Sequence, residues 1–396
     1  MHPVQWRSVY RADCNGARGQ VISGSANPYG LAIGTMSGTS MDGVDVAVIE
    51  TDGVSVSAFG PTLALSYSDE DRAVLRQALH DASGMVDSGR RPGSLNRAEI
   101  IVTERHAEAI EVLCARAGMA PASADIIGFH GQTVLHRPEA GLTVQIGNPQ
   151  LLAFRLGVPV VYNFRAADVN AGGQGAPLVP IFHKALAAMS GRELPLAFLN
   201  LGGVANITYI GRDSELTAFD TGPANALLDD WALMHTGKPF DADGALAGSG
   251  QVDRGRLEFL MDDVYFAQPA PKSLDRDHFA AKARETLSGL AVQEGAATLA
   301  AFTIESVAAS LLHLPETPKS WIVCGGGVRN PVIMSGLQDR LGVPVFSADD
   351  CGFSSAFMEA QAFGYLAVRR LHDLPISFPA TTGAPMPMTG GEIVQP

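Results

Sequence analysis

The sequence has few cysteines and few positive charges. Its 396 residues include four cysteines, and 28 Lys and Arg stand against 41 Asp and Glu, which gives a net charge of −13. No two cysteines form a C-x-x-C pair, so the sequence indicates neither a disulfide framework nor a zinc site and favours reduced thiols. The acidic balance argues against a surface for nucleic acid or for an anionic membrane, and we expect neither as a partner.

Long apolar runs and a targeting segment are also missing. No stretch approaches the roughly 18 apolar residues of a membrane span, and residues 1–28 lack the apolar core of a signal peptide. We therefore expect a cytoplasmic protein in which residues 1–28 form a poorly ordered extension. Hydrophobic residues make up 46% of the chain, which is enough for a large core, and the length favours two domains.

Short β-rich runs alternate with segments of helical periodicity, which indicates an α/β fold. A long helix is predicted over about 95–117, with His106 on its solvent face. Another helix is predicted to begin at Pro223, because proline at the first helical position has no N–H to leave unpaired. The segment after Pro375 is rich in Pro, Thr and Gly, and we expect it to lie along the surface.

A β-hairpin is predicted at Leu31–Glu50, whose sequence is LAIGTMSGTSMDGVDVAVIE. Both arms alternate apolar residues with period two, and glycines and hydroxyl side chains fill the connection. Such a turn can direct N–H and hydroxyl groups toward phosphate oxygens. Because it contains no Lys or Arg, a divalent ion would have to neutralise charge, with Asp42 or Asp45 as a candidate oxygen ligand. A surface turn without a ligand explains this segment equally well.

A similar strand, glycine turn and strand recurs over 196–210, with Gly202 and Gly203 in the turn, and a third strand leads to Asp220. The recurrence suggests two similar domains. Asp220 stands where a strand gives way to a helix, a place where α/β folds bind ligands. An ionised carboxylate there can accept a proton from an attacking water or hydroxyl. The alternative is a structural aspartate that caps the helix.

The three glycines Gly325, Gly326 and Gly327 follow an apolar strand, and an adenine or ribose could lie against their bare backbone. The alternative is a strand-to-helix turn with no ligand. A dinucleotide fingerprint is excluded because its third glycine would fall on Asn330. The sequence also has no G-x-x-x-x-G-K-S/T phosphate loop and no G-x-S-x-G elbow.

His130 and Gln132 follow a predicted strand and can hydrogen-bond sugar hydroxyls or amides. A metal site at His130 and His136 is disfavoured because no carboxylate or thiol lies nearby at ligand spacing. The metal ligands are therefore left unassigned.

In their order along the chain, the motifs resemble those of the anhydro-N-acetylmuramic acid kinases. That family belongs to the superfamily of sugar kinases, acetate kinases, actin and the heat-shock chaperone ATPases. The resemblance extends from about Tyr29 to Thr389. The motifs that carry it are GTMSGTSMDGVD (34–45), GFHGQT (128–133), TVQIGNP (143–149), AGGQGAPLVP (171–180), NLGGVANIT (200–208), FDTGPAN (219–225), FDADG (240–244), CGGGVRN (324–330) and MEAQAF (358–363).

This resemblance implies an ATP-dependent kinase that hydrolytically opens 1,6-anhydro-N-acetylmuramic acid and phosphorylates it to N-acetylmuramic acid 6-phosphate, in peptidoglycan recycling. It implies Mg²⁺ as the companion of ATP and Asp220 as the base that activates water. The implied ATP-binding residues are Gly38, Thr39, Ser40, Met41, Asp42, Gly43, Val44 and Asp45, with Gly202 and Gly203 at a second phosphate turn and Gly325, Gly326 and Gly327 at adenosine. The implied sugar-side residues are His130, Gln132, Arg165, Asp168 and Glu359.

The resemblance also implies two actin-like (ribonuclease H-like) lobes, each a mixed sheet flanked by helices, with a nucleotide cleft between them, and a homodimer. Within this plan we expect lobe I at 29–180, lobe II at 181–375 and a C-terminal tail at 376–396. The last helix, at 355–371, is expected to pack back on lobe I. One position departs from the family, because Asn163 stands where many relatives carry aspartate before Phe-Arg.

Two other functions compete with this one. A kinase of the same fold could act on another amino sugar or on a hexose, and competition between sugars would decide. A non-catalytic nucleotide-binding scaffold of the actin or chaperone type would need polymer contacts or a peptide-binding domain. The chain has no insertion long enough for such a domain, so we expect an enzyme.

Overall fold

The computed structural model describes residues 29–38 and 40–396, which form two compact units. Unit 1 contains the described residues up to Met189 together with Glu359–Pro396, and unit 2 contains Ser190–Met358. The expectation of a poorly ordered extension at 1–28 lies outside the described residues.

The strands are β1 (Gly30–Ser37), β2 (Gly43–Thr51), β3 (Val56–Ser66), β4 (Ile126–Arg137), β5 (Leu142–Ile146), β6 (Val160–Tyr162), β7 (Leu196–Leu201), β8 (Val204–Ile210), β9 (Leu216–Pro223), β10 (Ser320–Cys324), β11 (Val345–Ser347) and β12 (Glu392–Val394). The α-helices are α1 (Asp69–Ala82), α2 (Leu95–Arg116), α3 (Pro149–Leu156), α4 (Ala166–Asn170), α5 (Pro180–Ser190), α6 (Asn225–Thr236), α7 (Ala245–Ser249), α8 (Arg254–Met261), α9 (Val264–Ala267), α10 (Ala280–Thr286), α11 (Val292–Ala309), α12 (Pro331–Leu341), α13 (Met358–Leu371) and α14 (Pro379–Thr382).

The two units repeat one sheet plan. In unit 1 the strand order is β6-β4-β1-β2-β3, with β5 paired to β4 and β12 added beside β6, and in unit 2 it is β11-β10-β7-β8-β9. Each sheet begins with an antiparallel meander of three strands and continues with two parallel strands beside the first of them. The predicted α/β class, with a mixed sheet and helices in each half, is therefore confirmed, as is the internal similarity that the repeated glycine turn suggested.

The sheet of unit 1 is covered on both faces, and period-two alternation sorts its side chains. Ile33 and Val46 point into the core that also contains residues of α1, α2 and α3. On the other face, Gly34 and Gly128 are paired across β1 and β4 and lie against α13. A Cβ on Gly34 would stand 1.8 Å from the Ala360 carbonyl oxygen, so the helix backbone can approach this closely only because the strands lack side chains there.

Helix α11 lies in the core of unit 2, where Phe302 and Val307 are fully buried. Together with the turn that follows it, as far as His313, this segment is long and apolar enough by composition to cross a membrane. The expectation that no such stretch exists is therefore wrong. However, 67% of its apolar window is buried inside the fold, so packing in a domain core explains its composition.

Two local predictions are also wrong, and a third needs an addition. His106 is completely buried, because α2 packs on the sheet and on α1 and α3 and therefore buries a broader face than one stripe; its ring meets Phe129 edge-on at 4.8 Å. Pro223 ends β9, and α6 begins at Asn225. The segment after Pro375 lies along the surface as expected, with Pro379 and Met386 exposed, but it is also anchored: β12 joins the sheet beside β6, and the side chain of Thr382 is fully buried.

Candidate functional site

The turn between β1 and β2 in unit 1 is held by hydrogen bonds from the side chain of Gln132 in β4. The Ser37 hydroxyl donates to Gln132 Oε1 at 2.6 Å, and Gln132 Nε2 donates to the Gly38 carbonyl at 3.1 Å. Met41 closes the turn with positive φ, and its N–H donates to the same Gly38 carbonyl at 3.1 Å. Gln132 is 1% exposed and uses both ends of its amide within the protein. It therefore supports the hairpin turn.

The residues of this turn differ in what they can offer a ligand. Ser40 and Asp42 are exposed, whereas Met41 and Val44 are buried in the core of unit 1. Gly43 has no room for a side chain, because a Cβ would lie 2.4 Å from the Leu65 carbonyl oxygen. Thr39 lies outside the described residues. Met41 and Val44 can thus contribute only backbone groups, while Ser40 and Asp42 present side chains.

Carboxyl groups gather beside this turn. Desolvation raises the pKa of Asp45 to about 6, and the neighbouring charges of Glu359 and Asp42 add to the effect. Glu359, in the first turn of α13, keeps an exposed surface, yet the protein atoms around its carboxyl desolvate it and raise its pKa, while Arg165 opposes that change. Repulsion between Asp45 and Glu359 means that a cation would be bound favourably here.

A bulge in β4 orients the histidine of the GFHGQT motif. His130 and Gly131 together stand opposite one residue of β1, and Gly131 has positive φ with no space for a Cβ beside the Ile146 carbonyl oxygen. Arg165 Nη2 lies 3.1 Å from His130 Nε2, and His130 Nδ1 lies 2.8 Å from the Gly131 carbonyl oxygen. Since a guanidinium only donates, Nε2 accepts and Nδ1 carries the proton. Burial, assisted by Arg165, lowers the pKa of His130 to about 3, so this ring is neutral.

Arg165 and Asp168 differ in what they leave unpaired. Arg165 also donates through Nη1 to the Gly175 carbonyl at 2.8 Å, but its Nε is buried without a hydrogen-bond partner among the described residues. Asp168 is 1% exposed, and its two oxygens accept from the Gly175 N–H, the Ser377 hydroxyl and the Thr382 hydroxyl. Arg165 therefore has donors to spare for a ligand, and Asp168 is occupied with its own chain.

Asp220 lies near the end of β9 in unit 2, beside a bulge. Its partner in β8 is Asn206, and the pairing slips by one residue so that Thr221 is extra. The Leu274 N–H donates to Asp220 Oδ2 at 2.8 Å, while Asp220 Oδ1 makes no hydrogen bond within the described chain. Desolvation raises the pKa of this half-buried carboxyl to about 6, and the Leu274 hydrogen bond opposes the change. Because Asp220 lies inside the strand and α6 begins later, the helix-cap alternative is excluded.

The backbone of Asp220 is fixed by α9 and by the loop between α9 and α10. Its N–H donates to the Lys272 carbonyl at 2.9 Å, and the Tyr265 hydroxyl donates to its carbonyl. Lys272 Nζ in turn donates to the Tyr265 carbonyl at 2.9 Å. The proline-rich run PAPKS at 269–273 is the signal that this loop carries in the sequence, and it does not indicate a contact with Asp220.

The two glycine turns of unit 2 lie against each other. A Cβ on Gly325 would stand 2.7 Å from the Leu201 carbonyl oxygen, and one on Gly327 would stand 2.6 Å from the Leu201 Cβ. These two glycines are thus needed for packing of the β10 turn on the end of β7. Gly326 is the exposed member of the three, and it is free of close contacts.

The turn after β7 also shapes the start of α6. The Gly202 carbonyl accepts from the Asn225 N–H at 2.9 Å, and the Gly203 carbonyl accepts from the N–H groups of Ala224 and Ala226. In the turn hydrogen bonds of the described chain the N–H groups of Gly202 and Gly203 are not donors. The carbonyl groups of Gly202 and Gly203 therefore face α6. The N–H groups of these two glycines remain available to a ligand.

Comparison with known proteins places these features in a family. Residues 30–396 match the family described as anhydro-N-acetylmuramic acid kinase. A protein of that name from Methylobacterium nodulans is 52% identical over 375 residues, covering 92% of this chain and 100% of the relative. Another, from Rhodopseudomonas palustris strain BisB18, is 54% identical over 366 residues, with coverage of 92% and 100%. A solved ROK family glucokinase from Streptomyces griseus, in complex with glucose and AMPPNP, has a TM-score of 0.39 and 15% identity, covering 85% of this chain and 99% of its own.

Proposed function

Because the chain belongs to the anhydro-N-acetylmuramic acid kinase family, we propose that it uses ATP to convert 1,6-anhydro-N-acetylmuramic acid to N-acetylmuramic acid 6-phosphate. The reaction serves peptidoglycan recycling, and we place it in the cytoplasm. Water adds to the anomeric carbon as the bond from that carbon to the bridge oxygen breaks. The bridge oxygen, which stays on carbon 6, then takes the γ-phosphoryl group of ATP, and ADP leaves.

We assign Asp220 as the base that takes the proton from the attacking water. Its environment carries the proposal: a half-buried carboxyl whose pKa is raised to about 6, with one oxygen held by Leu274 and the other without a protein partner. A base with this pKa is ionised at neutral pH, yet it is stronger than an ordinary aspartate, and both properties favour proton transfer from water. The hydrogen bond to Oδ2 fixes the carboxylate, so Oδ1 is the oxygen that faces the water.

The phosphate groups of ATP need positioning and charge neutralisation more than covalent chemistry. In unit 1 we assign them to the turn Gly38–Asp45, with Ser40 as an exposed hydroxyl donor. In unit 2 we assign them to the N–H groups of Gly202 and Gly203. Of the three glycines at 325–327, Gly326 is the one with surface to offer adenosine.

The fit of a magnesium ion can be judged from the acidic residues of unit 1. The described residues contain no group of three or more His, Cys, Asp or Glu that could hold a metal ion by themselves. Mg²⁺ in kinases needs only one or two carboxylates, with phosphate oxygens and water completing its shell. Asp45, whose pKa is raised partly by the Glu359 charge, is therefore the residue that would hold Mg²⁺, with Glu359 beside it. The ion would supply neutralisation of phosphate charge.

The structure divides the sugar-side candidates into two roles. Arg165 has unpaired donors, and the lactyl carboxylate of the substrate is an anion that a guanidinium binds well. We assign Arg165 and Glu359 to direct sugar contacts. Gln132 and Asp168 are committed to protein partners, and His130 orients Arg165 through its Nε2, so these three support the site.

We also propose a homodimer, which light scattering would test.

Sugar-dependent release of ADP tests this function. Purified protein with ATP and Mg²⁺ is assayed with and without 1,6-anhydro-N-acetylmuramic acid, and the product is weighed by mass spectrometry. We expect ADP release only with the sugar, and a product heavier than the substrate by one water and one phosphoryl group. Equal turnover of an unrelated hexose at similar concentrations, or no turnover of the anhydro sugar, would overturn the proposal. In that experiment glucose and N-acetylglucosamine serve as competitors.

A further inference from the structure

We propose that the C-terminal segment is a positioning element for the sugar-side arginine: Ser377 and Thr382 hold Asp168, Asp168 holds Gly175, and Gly175 holds Arg165. This inference rests on the proposed function, because it assigns the role of Arg165 in sugar binding to contacts from the end of the chain. The residues that it adds, Ser377, Thr382 and Gly175, are not among those that we assign to contacts with ATP or the sugar.

The first contacts join the tail to α4. The Ser377 hydroxyl donates to Asp168 Oδ2 at 2.5 Å, and the Thr382 hydroxyl donates to the same oxygen at 2.6 Å. All three side chains are at most 2% exposed. A carboxylate buried to this degree is costly unless donors meet its oxygens, so the two hydroxyls are needed where they lie.

The next contacts pass from Asp168 to the arginine. Asp168 Oδ1 accepts from the Gly175 N–H at 2.6 Å, and the carbonyl of the same Gly175 accepts from Arg165 Nη1 at 2.8 Å. Gly175 has a positive φ of 68°, and a Cβ there would lie 2.5 Å from Val169 Cγ2. Only glycine therefore fits, and its carbonyl can point at the guanidinium because its N–H is anchored to Asp168.

The tail is itself a fixed structure, so it can serve as an anchor. Ile376 and Met388 are joined by a backbone hydrogen bond of 2.8 Å, and β12 pairs with β6. Helix α14 lies between these points and carries Thr382, whose carbonyl accepts from the Gln174 N–H at 2.7 Å. The loop 168–175 is thus attached to the tail by both side chains and backbone.

Arg165 depends on this anchor because little else directs its guanidinium. Its two side-chain hydrogen bonds go to the Gly175 carbonyl and to His130 Nε2. Glu359 and Asp168 act on its charge, but in the described chain neither makes a direct ion pair with it. If Gly175 shifts, the guanidinium of Arg165 loses one of the two hydrogen bonds that orient it. A misplacement of about 1 Å at a binding group can reduce turnover by roughly 100-fold.

The variants Thr382→Val and Ser377→Ala remove the hydroxyls, and Thr382→Ser keeps one. Thr389→Val is the matched control, since Thr389 lies in the same tail and donates only to the Asp373 carbonyl. We expect Thr382→Val to raise the KM for the sugar roughly 10- to 100-fold, with the KM for ATP unchanged. Ser377→Ala should shift it in the same direction, while Thr382→Ser and Thr389→Val stay near wild type.

The outcomes separate this inference from the proposed function. If the wild-type protein releases ADP with the sugar but Thr382→Val and Ser377→Ala lower only the melting temperature, with the sugar KM unchanged, the tail is merely structural and the inference is wrong. If Thr382→Val does not fold, Ser377→Ala alone decides in the same way. If the wild-type protein shows no sugar-dependent turnover, the proposed function fails and this inference fails with it.

Discussion

The Leu274 N–H donates to Asp220 Oδ2 at 2.8 Å and so fixes the plane of the carboxyl that we assign as the base. Burial raises the pKa of that carboxyl to about 6. The hydrogen bond alone would lower the pKa, so desolvation is the larger effect.

An acid limb in the rate profile follows from this pKa. The base must be ionised to accept a proton, so kcat/KM should fall as the pH drops through about 6, the pKa of Asp220. Asp45 has a pKa raised to a similar value, and its protonation would weaken cation binding over the same range. The fall should therefore be steeper than for one proton. A profile that stays flat down to pH 4.5, with the protein still folded, would contradict this assignment.

The same pKa predicts how Asp220→Asn changes stability. A folded-state pKa above the unfolded value means that this group favours folding fully below the unfolded pKa and loses that contribution as pH rises through about 6. The asparagine carries no charge and can still accept from Leu274. The variant should therefore gain stability relative to wild type between pH 4.5 and pH 8. Urea unfolding at the two pH values measures the difference, and a gain that is equal at both would be inconsistent with a buried charge.

The glycines under α13 give a packing prediction. Gly34→Ala should destabilise the protein by at least about 1–3 kcal/mol, because its Cβ would overlap the Ala360 carbonyl oxygen and force the helix away from the sheet. Since β1 leads into the turn that we assign to the phosphates of ATP, and Glu359 lies in the first turn of α13, sugar-dependent turnover should fall as well. Gly84→Ala is the control: no atom lies within 4 Å of its added Cβ, and its midpoint of unfolding should stay close to wild type.

Much of the fold can be predicted, because local patterns of apolar residues and glycines determine it. The period-two alternation at 31–50 predicts the hairpin, which β1 and β2 form with Ile33 and Val46 on the face that packs against the core. The turn at Gly202 was found in the same way. The burial of His106 was not, since it depends on α1 and α3 covering α2 from either side, and the periodicity of one helix does not show its neighbours.

The site was predictable only in part. The order of the motifs indicates Asp220 and Arg165 as candidates. The groups that fix their positions through hydrogen bonds lie at distant places in the sequence. Asp168 meets Thr382 across 214 positions, and Asp220 meets Leu274 across 54. Hydroxyl and backbone donors of this kind have no period and no characteristic spacing, so a sequence pattern cannot assign them. For the same reason Gln132 and Asp168 read as ligand groups when their polar atoms face the protein.

Asn163 provides a test of the tail in which a charge is added. It has a positive φ of 54°, and its Nδ2 donates to Glu392 Oε1 at 2.6 Å. Aspartate tolerates the same backbone, so Asn163→Asp replaces a hydrogen bond by repulsion between two carboxylates. We expect a loss of roughly 1 kcal/mol at pH 7 and a smaller loss at pH 4, measured by urea unfolding. Adding Glu392→Gln should restore stability; a double variant no better than the single one would exclude this pairing as the cause.

The most direct test of the central claim compares Asp220→Asn with wild type in sugar-dependent ADP release at pH 7.5. If Asp220 takes the proton of the attacking water, kcat should fall by about 10²–10⁴-fold, while the variant still binds ATP and remains folded. Turnover within a few-fold of wild type would contradict the account, because the carboxylate would then have no part in the chemistry.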